Sequence, residues 1–279
     1  MNGKYIQLVA TDLDGTFLQE DQTISAKNLE ALHLLGEKCI TRVAATGRNL
    51  RKVNEVIHQE VPFDFIVFSS GAGVYSWKER RHLFYQNLAP RSTERLARYF
   101  VNQKVSFYAF DPAPGNHRLW FHKGAQDCPE FNRFLSFHNA FARAFPGEGK
   151  LPGEACQFLL IIPEDENLFN RLKKEIESQC DEIRVIRSSS PVTKGYIWLE
   201  IFHREVSKGQ GVQKVCNLLG IERRHTFGIG NDYNDLDLLH FTAHSCLTEN
   251  APPEIKKMFR VVPSNENNAF AYAIQPFIK

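Results

Sequence analysis

Asp12-Leu13-Asp14-Gly15-Thr16 sets two carboxylates two residues apart, directly after the apolar run at 6–10. At the end of a strand such a pair reaches into the same space. Left alone, the two charges repel and raise each other's pKa. A divalent cation between them relieves the repulsion, and hard oxygen donors suit Mg²⁺. An acidic turn is the plain alternative. A calcium loop does not fit, because the EF-hand glycine stands sixth in its loop and Gly15 stands fourth here. Thr46-Gly47-Arg48 adds a hydroxyl, a backbone amide and a guanidinium, the groups that bind phosphate. Lys208, in Val206-Ser207-Lys208-Gly209, is an isolated cation at a helix start, and Gly230-Asn231-Asp232-Tyr233-Asn234-Asp235 adds further oxygens. Singly these read as a surface arginine, a solvated lysine and an Asn-rich turn. Together, at strand ends or helix starts, they read as one site.

The elements that carry them alternate. Apolar runs at 6–10, 40–45 and 63–68 are strand candidates, and 25–37 and 49–59 are helix candidates, with Ser25 a potential N-cap. This predicts an α/β fold with a doubly wound, parallel, Rossmann-like sheet. Ligands bind such sheets at the carboxyl ends of the strands. The rhythm returns with helices at 208–219, 235–241 and 253–259 and strands at 225–229 and 245–247. Between them lie strand candidates at 105–110, 119–122, 157–162, 183–187 and 196–202. Helix candidates cover 92–102, 129–144 and 165–180, and Pro/Gly breaks fall at 112–115 and 146–153. The chain is therefore expected to hold a discontinuous core, 1–82 and 193–279, interrupted by an inserted α/β domain at 83–192.

Composition narrows the function classes. A net charge of +2 is too small for a dedicated nucleic-acid binder. At 43% hydrophobic and 24% charged residues, the chain can bury an ordinary core. No apolar run approaches the roughly 18–20 residues of a membrane span, and the start lacks a signal-peptide-like apolar stretch. Cysteines at 39, 128, 156, 180, 216 and 246 form no C-x-x-C pair or zinc spacing. They read as reduced thiols in a cytoplasmic protein. His240 and His244 have a helical metal-pair spacing but lack the glutamate of H-E-x-x-H. The G-x-G triplets do not extend to a dinucleotide fingerprint. Phenylalanine is over-used, 22 against 2 Met, and Phe131, Phe134, Phe137, Phe141 and Phe145 recur at helical spacing. This predicts a packed core for the insert rather than an aromatic pocket.

With these motifs in place, the sequence resembles the haloacid dehalogenase superfamily of phosphohydrolases, in particular its Cof-type branch with a type-IIB cap. Asp12 through Thr16 match the first motif and Thr46, in Ala45-Thr46-Gly47-Arg48, the second. Lys208, in Ser207-Lys208-Gly209, matches the third, and Gly230 through Asp235 match the fourth, usually G-D-x-x-N-D. Glu249-Asn250-Ala251-Pro252 and Ser264-Asn265-Glu266 resemble the branch's C-terminal pattern. The resemblance covers the core; for the insert it rests on position and αβ rhythm. It implies a Mg²⁺-dependent phosphatase acting on a small phosphorylated metabolite, a sugar phosphate by preference. Asp12 would be the nucleophile and Asp14 the general acid and base. Thr46, Gly47, Lys208 and Asn234 would hold the phosphoryl group. Arg48 would reach that group or pair with a core acid. Asp12, Asp14 (through its carbonyl), Asn231 and Asp235 would serve the metal. Two departures stand out. Asn231 replaces a metal-binding Asp, which should weaken Mg²⁺ binding unless Asp232 compensates, and Ser70-Gly71-Ala72 replaces N-G-A. A phosphomutase, or a non-catalytic phospho-ligand-binding protein on the same scaffold, is the alternative. The sequence indicates no oligomeric state.

Overall fold

The computed structural model describes residues 6–147, 151 and 153–278. In chain order it opens with β1 (Leu8–Thr11), α1 (Ala26–Glu37), β2 (Thr41–Ala45), α2 (Leu50–Val56), β3 (Phe65–Phe68), β4 (Gly73–Ser76) and β5 (Arg81–Tyr85). It continues through α3 (Pro90–Asn102), β6 (Phe107–Phe110), β7 (Leu119–His122), α4 (Pro129–His138), β8 (Ala142–Ala144), β9 (Gln157–Pro163), α5 (Glu166–Glu177), β10 (Ile183–Ser189) and β11 (Tyr196–His203). It closes with α6 (Lys208–Leu219), β12 (Thr226–Gly230), α7 (Leu236–Phe241), β13 (His244–Thr248), α8 (Pro253–Lys256), β14 (Arg260–Val262) and α9 (Ala269–Ile278). No helix among the described residues is long and apolar enough to cross a membrane.

The chain divides into two compact units, Met1–Tyr85 with Ser207–Lys279, and Gln86–Val206. The first is built on an eight-stranded sheet in the order β14-β13-β12-β1-β2-β3-β4-β5. Pairing is parallel from β14 to β3. The β3–β4 and β4–β5 pairings are antiparallel. Strands covered on both faces read as unbroken apolar runs, and every residue of β1 is buried. Sequence order and sheet order differ: β1 lies between β2 and β12, so segments some 200 residues apart end side by side. The helices begin where side chains can cap them. Ser25 Oγ accepts from Asn28 N at 3.2 Å and the Asn49 side chain from Lys52 N at 3.0 Å.

The second unit carries a six-stranded sheet in the order β10-β11-β9-β6-β7-β8, antiparallel except for β7–β8. Its core is aromatic: Phe100, Phe107 and Phe158 are all but fully buried, with ring centroids 5.5–5.9 Å apart.

Several expected boundaries move. β11 pairs with β9 and β10, so 193–206 belongs to the second unit, and the chain returns to the first at Ser207 rather than at 193. The helix expected over 129–144 stops at His138, because Ala142–Ala144 pairs with β7. Phe131 and Phe134 are buried as the helical spacing implies, but Phe137 is 64% exposed. The helix expected over 253–259 ends at Lys256. The β4–β5 hairpin, β14 and α9 carried no periodicity strong enough to be read. Of the break at 146–153, residues 148–150 and 152 lie outside the described residues.

Phe158→Ala should cost about 3–5 kcal/mol of stability through the cavity it leaves. Denaturant unfolding followed by tryptophan fluorescence measures this, since Trp120 and Trp198 belong to the second unit. A loss below about 1 kcal/mol would contradict the packed-core reading.

Candidate active site

The site assembles at the carboxyl ends of β1, β2, β3 and β12 and at the start of α6. Asp12 follows β1, and its N–H donates to the Ile229 carbonyl at 2.9 Å, so β12 fixes where the carboxylate stands. The chain then turns sharply at Gly15, which sits at φ +72°. A Cβ at Gly15 would also come within 2.4 Å of the Asn231 amide, so no larger residue fits. Asn250 Nδ2 donates to the Gly15 carbonyl at 2.9 Å and braces this turn from the end of β13.

The electrostatic centre is Lys208. Ser207 caps α6, with its hydroxyl accepting from Gln210 N at 3.2 Å. This cap starts the helix at Lys208. Lys208 Nζ donates to Asp12 Oδ1 and to Asp235 Oδ1, each at 2.6 Å. The three residues are 1%, 4% and 0% exposed, so each charge depends on the others. Burial by itself would lower the Lys208 ammonium pKa, but Asp12 and Asp235 outweigh it and hold the group charged above its usual range. Burial pushes the Asp12 carboxyl up, to about 8. Lys208 opposes that rise, while Asp235 and Asp14 add to it.

Asp235 is held at both carboxylate oxygens. Its Oδ1 is held by Lys208, and its Oδ2 accepts from the N–H groups of Asn231 at 2.8 Å and Asp232 at 3.0 Å. Both oxygens thus shape the loop and balance the lysine. The Asp232 side chain caps the same turn, accepting from the Asp235 N–H.

Asp14 and Arg48 form a second pair. Arg48 Nε and Nη2 donate to the two Asp14 oxygens at 2.7 and 2.5 Å, a bidentate grip. Of the two roles open to Arg48, pairing with an acid is the one seen. The Asp14 side chain is 49% exposed, unlike that of Asp12. Thr46 is buried, and its hydroxyl accepts from Arg48 N at 3.1 Å. A Cβ on Gly47 would lie 3.6 Å from Ser70 Oγ and 3.7 Å from Asn234 Nδ2, which places those two side chains around the Gly47 backbone. Thr46, Gly47, Ser70 and Asn234 therefore stand together.

Ser70 was readable only as a departure from the family pattern. Ser69 and Ser70 both take left-handed φ, +48° and +53°. Such residues cost about 1–3 kcal/mol each and need external support. Here Ser69 N donates to the Arg48 carbonyl and Ser70 N to that of Thr46, at 2.8 and 2.9 Å. Gly71 follows at φ +100°, where a Cβ would strike the Ser207 carbonyl at 2.1 Å. This close approach seats the β3 loop against the start of α6. Thr16 and Asn250 were also overlooked as site residues; both lie beside motif residues, but only their contacts across the fold reveal what they do.

A cation is a fit to this donor set. The Asn231 amide end lies 3.2 Å from Asp12 Oδ2 and 2.9 Å from the Asp14 carbonyl. An octahedral Mg²⁺ shell, with Mg–O near 2.1 Å, has edges of about 3 Å. With Asp12 ionised, as the Lys208 contact favours, the buried triad of Asp12, Asp235 and Lys208 carries a net −1, which a divalent cation would offset. Among the described residues no three His, Cys, Asp or Glu side chains group around a metal position, so a carbonyl and an amide must complete the set. His240 and His244 lie on different elements, α7 and β13.

Comparison with known proteins agrees with this geometry. Residues 9–274 match the family model of haloacid dehalogenase-like hydrolases. The HMP-PP phosphatase of Klebsiella pneumoniae is 24% identical, over 90% of this chain and 86% of its own length. The 5-amino-6-(5-phospho-D-ribitylamino)uracil phosphatase YwtE of Bacillus subtilis is 23% identical, over 98% of both chains. The solved structure of the HAD subclass IIB sugar phosphatase BT4131 superposes with a TM-score of 0.75 at 16% identity, covering 98% of this chain and 100% of that one.

Lys208→Met would leave Asp12 and Asp235 buried without their shared cation. It should cost about 3–5 kcal/mol in a chemical melt. An unchanged melt would contradict the central role given to this contact. A buried lysine between Asp12 and Asp235, a paired Asp14 and a match over nearly the whole length place this chain in the haloacid dehalogenase-like hydrolase family, as a phosphoric monoester hydrolase.

Proposed function

We propose that the chain hydrolyses a small phosphorylated metabolite of the sugar-phosphate class through a phosphoryl group carried on Asp12. The observation that carries this reading is the 2.6 Å contact of Lys208 with a buried Asp12, two residues before an exposed acid. Relatives named for phosphatase activity on phosphorylated metabolites, and a sugar phosphatase of the same fold, support the substrate class.

In the first half-reaction an Asp12 oxygen bonds to phosphorus as the ester P–O bond breaks, and the leaving oxygen takes a proton from Asp14. In the second, Asp14 accepts a proton from water. The water oxygen bonds to phosphorus, the Asp12–phosphorus bond breaks, and phosphate leaves. Thr46, the Gly47 amide, Lys208 and Asn234 hold the phosphoryl oxygens as charge shifts. Lys208 does so without losing its anchor on Asp235. Arg48 keeps Asp14 in place between turnovers and must yield it, wholly or in part, when the proton moves. Asp12 Oδ2, the Asp14 carbonyl and Asn231 would hold Mg²⁺, which when bound screens Asp12 from the phosphoryl charge.

Asp12→Asn should leave the fold intact and reduce phosphate release from a panel of phosphorylated metabolites by roughly 10³-fold or more. Retained turnover would remove Asp12 as nucleophile. Sustained release of free phosphate by the unaltered chain, without added bisphosphate, separates a phosphatase from a phosphomutase. Tight binding without turnover at saturating Mg²⁺ would instead indicate a binding protein.

A further inference from the structure

Asn231 stands where the family's pattern has an aspartate, and its surroundings suit two states of the amide. The end of the amide that faces the site has three neighbours: Asp12 Oδ2 at 3.2 Å, the Asp14 carbonyl at 2.9 Å and Thr16 Oγ1 at 3.2 Å. The Asp14 carbonyl only accepts hydrogen bonds, and so does Asp12 when ionised, the form that its Lys208 contact favours. With the amide nitrogen turned toward them, its two N–H groups lie within donating distance of all three oxygens and are shared among them. With the oxygen turned toward them, three acceptor oxygens crowd at roughly 3 Å, an arrangement that needs a cation among them. Thr16 serves both states, since its hydroxyl accepts from the nitrogen or donates to the oxygen. The other end of the amide lies over Gly15, in the space that a Cβ would fill.

From this geometry we infer that Asn231 is a reversible stand-in for the cation. Without a divalent ion its two N–H groups are shared among Asp12, the Asp14 carbonyl and Thr16. When the ion binds, the amide turns over and presents its oxygen. An aspartate at this position can play only the second part. It has no proton to donate and would add a charge beside Asp12. The chain thus trades cation affinity for an empty site that holds itself together. The inference rests on the cation reading given above, but its cation-free half can be tested separately.

The test compares the unaltered chain, Asn231→Asp and Asn231→Ala by thermal melts in a chelator and in Mg²⁺, with calorimetric Mg²⁺ titration alongside. In the chelator both variants should melt below the unaltered chain. Asn231→Asp should bind Mg²⁺ about 10-fold or more tightly than the unaltered chain and gain more in melting temperature from it. Asn231→Ala should gain less. If Asn231→Asp folds only with Mg²⁺ present, the inference is supported in its strongest form. Cation-free melts equal to or above that of the unaltered chain for both variants would overturn it. Failure of both the unaltered chain and Asn231→Asp to bind Mg²⁺ would overturn the cation reading, while the chelator melts still judge the amide contact by themselves.

Discussion

The Lys208 ammonium is 1% exposed and is held by two carboxylates, one following β1 and one in the turn after β12. An ammonium withdrawn from water costs several kcal/mol unless oppositely charged partners with good geometry repay it. That requirement governs the first unit. β12 must lie beside β1 for Asp12 and the Asp235 turn to face the same ammonium, and α6 must begin where both can reach it. The parallel register between Leu8–Thr11 and Thr226–Ile229 meets the first condition. The Ser207 cap and the Gly71 contact at its carbonyl meet the second.

The same contact organises charge for chemistry. With Asp12 ionised, two buried carboxylates and one lysine leave a negative remainder there, and an incoming phosphoryl group adds to it. Arg48 is committed to Asp14 in this state, so positive charge beyond Lys208 has to come from a cation or from Arg48 releasing its partner. Two consecutive strained residues lie in the same place. The left-handed Ser69 and Ser70 are pinned by the carbonyls of Arg48 and Thr46, so the loops after β2 and β3 behave as one piece. Rigid placement of donors before the substrate arrives is the condition under which electrostatic stabilisation is effective.

The sequence made some of this legible and concealed the rest for physical reasons. Buried parallel strands must be continuously apolar, so 6–10, 40–45 and 63–68 stood out, and the polar residues ending them marked the site. Asp12, Thr46, Lys208 and Asn231 could be placed because their neighbours in sequence are also their neighbours in the motif. The contacts of Asp235 with Lys208 and two backbone amides were not legible, because they are set by folding rather than spacing. Asn250 was visible as a pattern, but its grip on the Gly15 carbonyl spans 235 positions of chain. The return to the core was set too early because β11 resembles a core strand and only its pairing partners assign it. The β4–β5 hairpin escaped because β5 lies at the sheet edge, where no residue is fully buried and alternation is weak.

The central claim is that Lys208 holds Asp12 as the residue that carries the phosphoryl group. Acid quenching during turnover of a phosphorylated metabolite, followed by peptide mapping of the modified carboxylate, tests it most directly. The account predicts an acid-stable, base-labile phosphoryl group on Asp12, absent from Asp12→Asn and reduced in Lys208→Met. A chain that turns over at full rate with no phosphoryl group trapped on Asp12, or with one found on another residue, would contradict it.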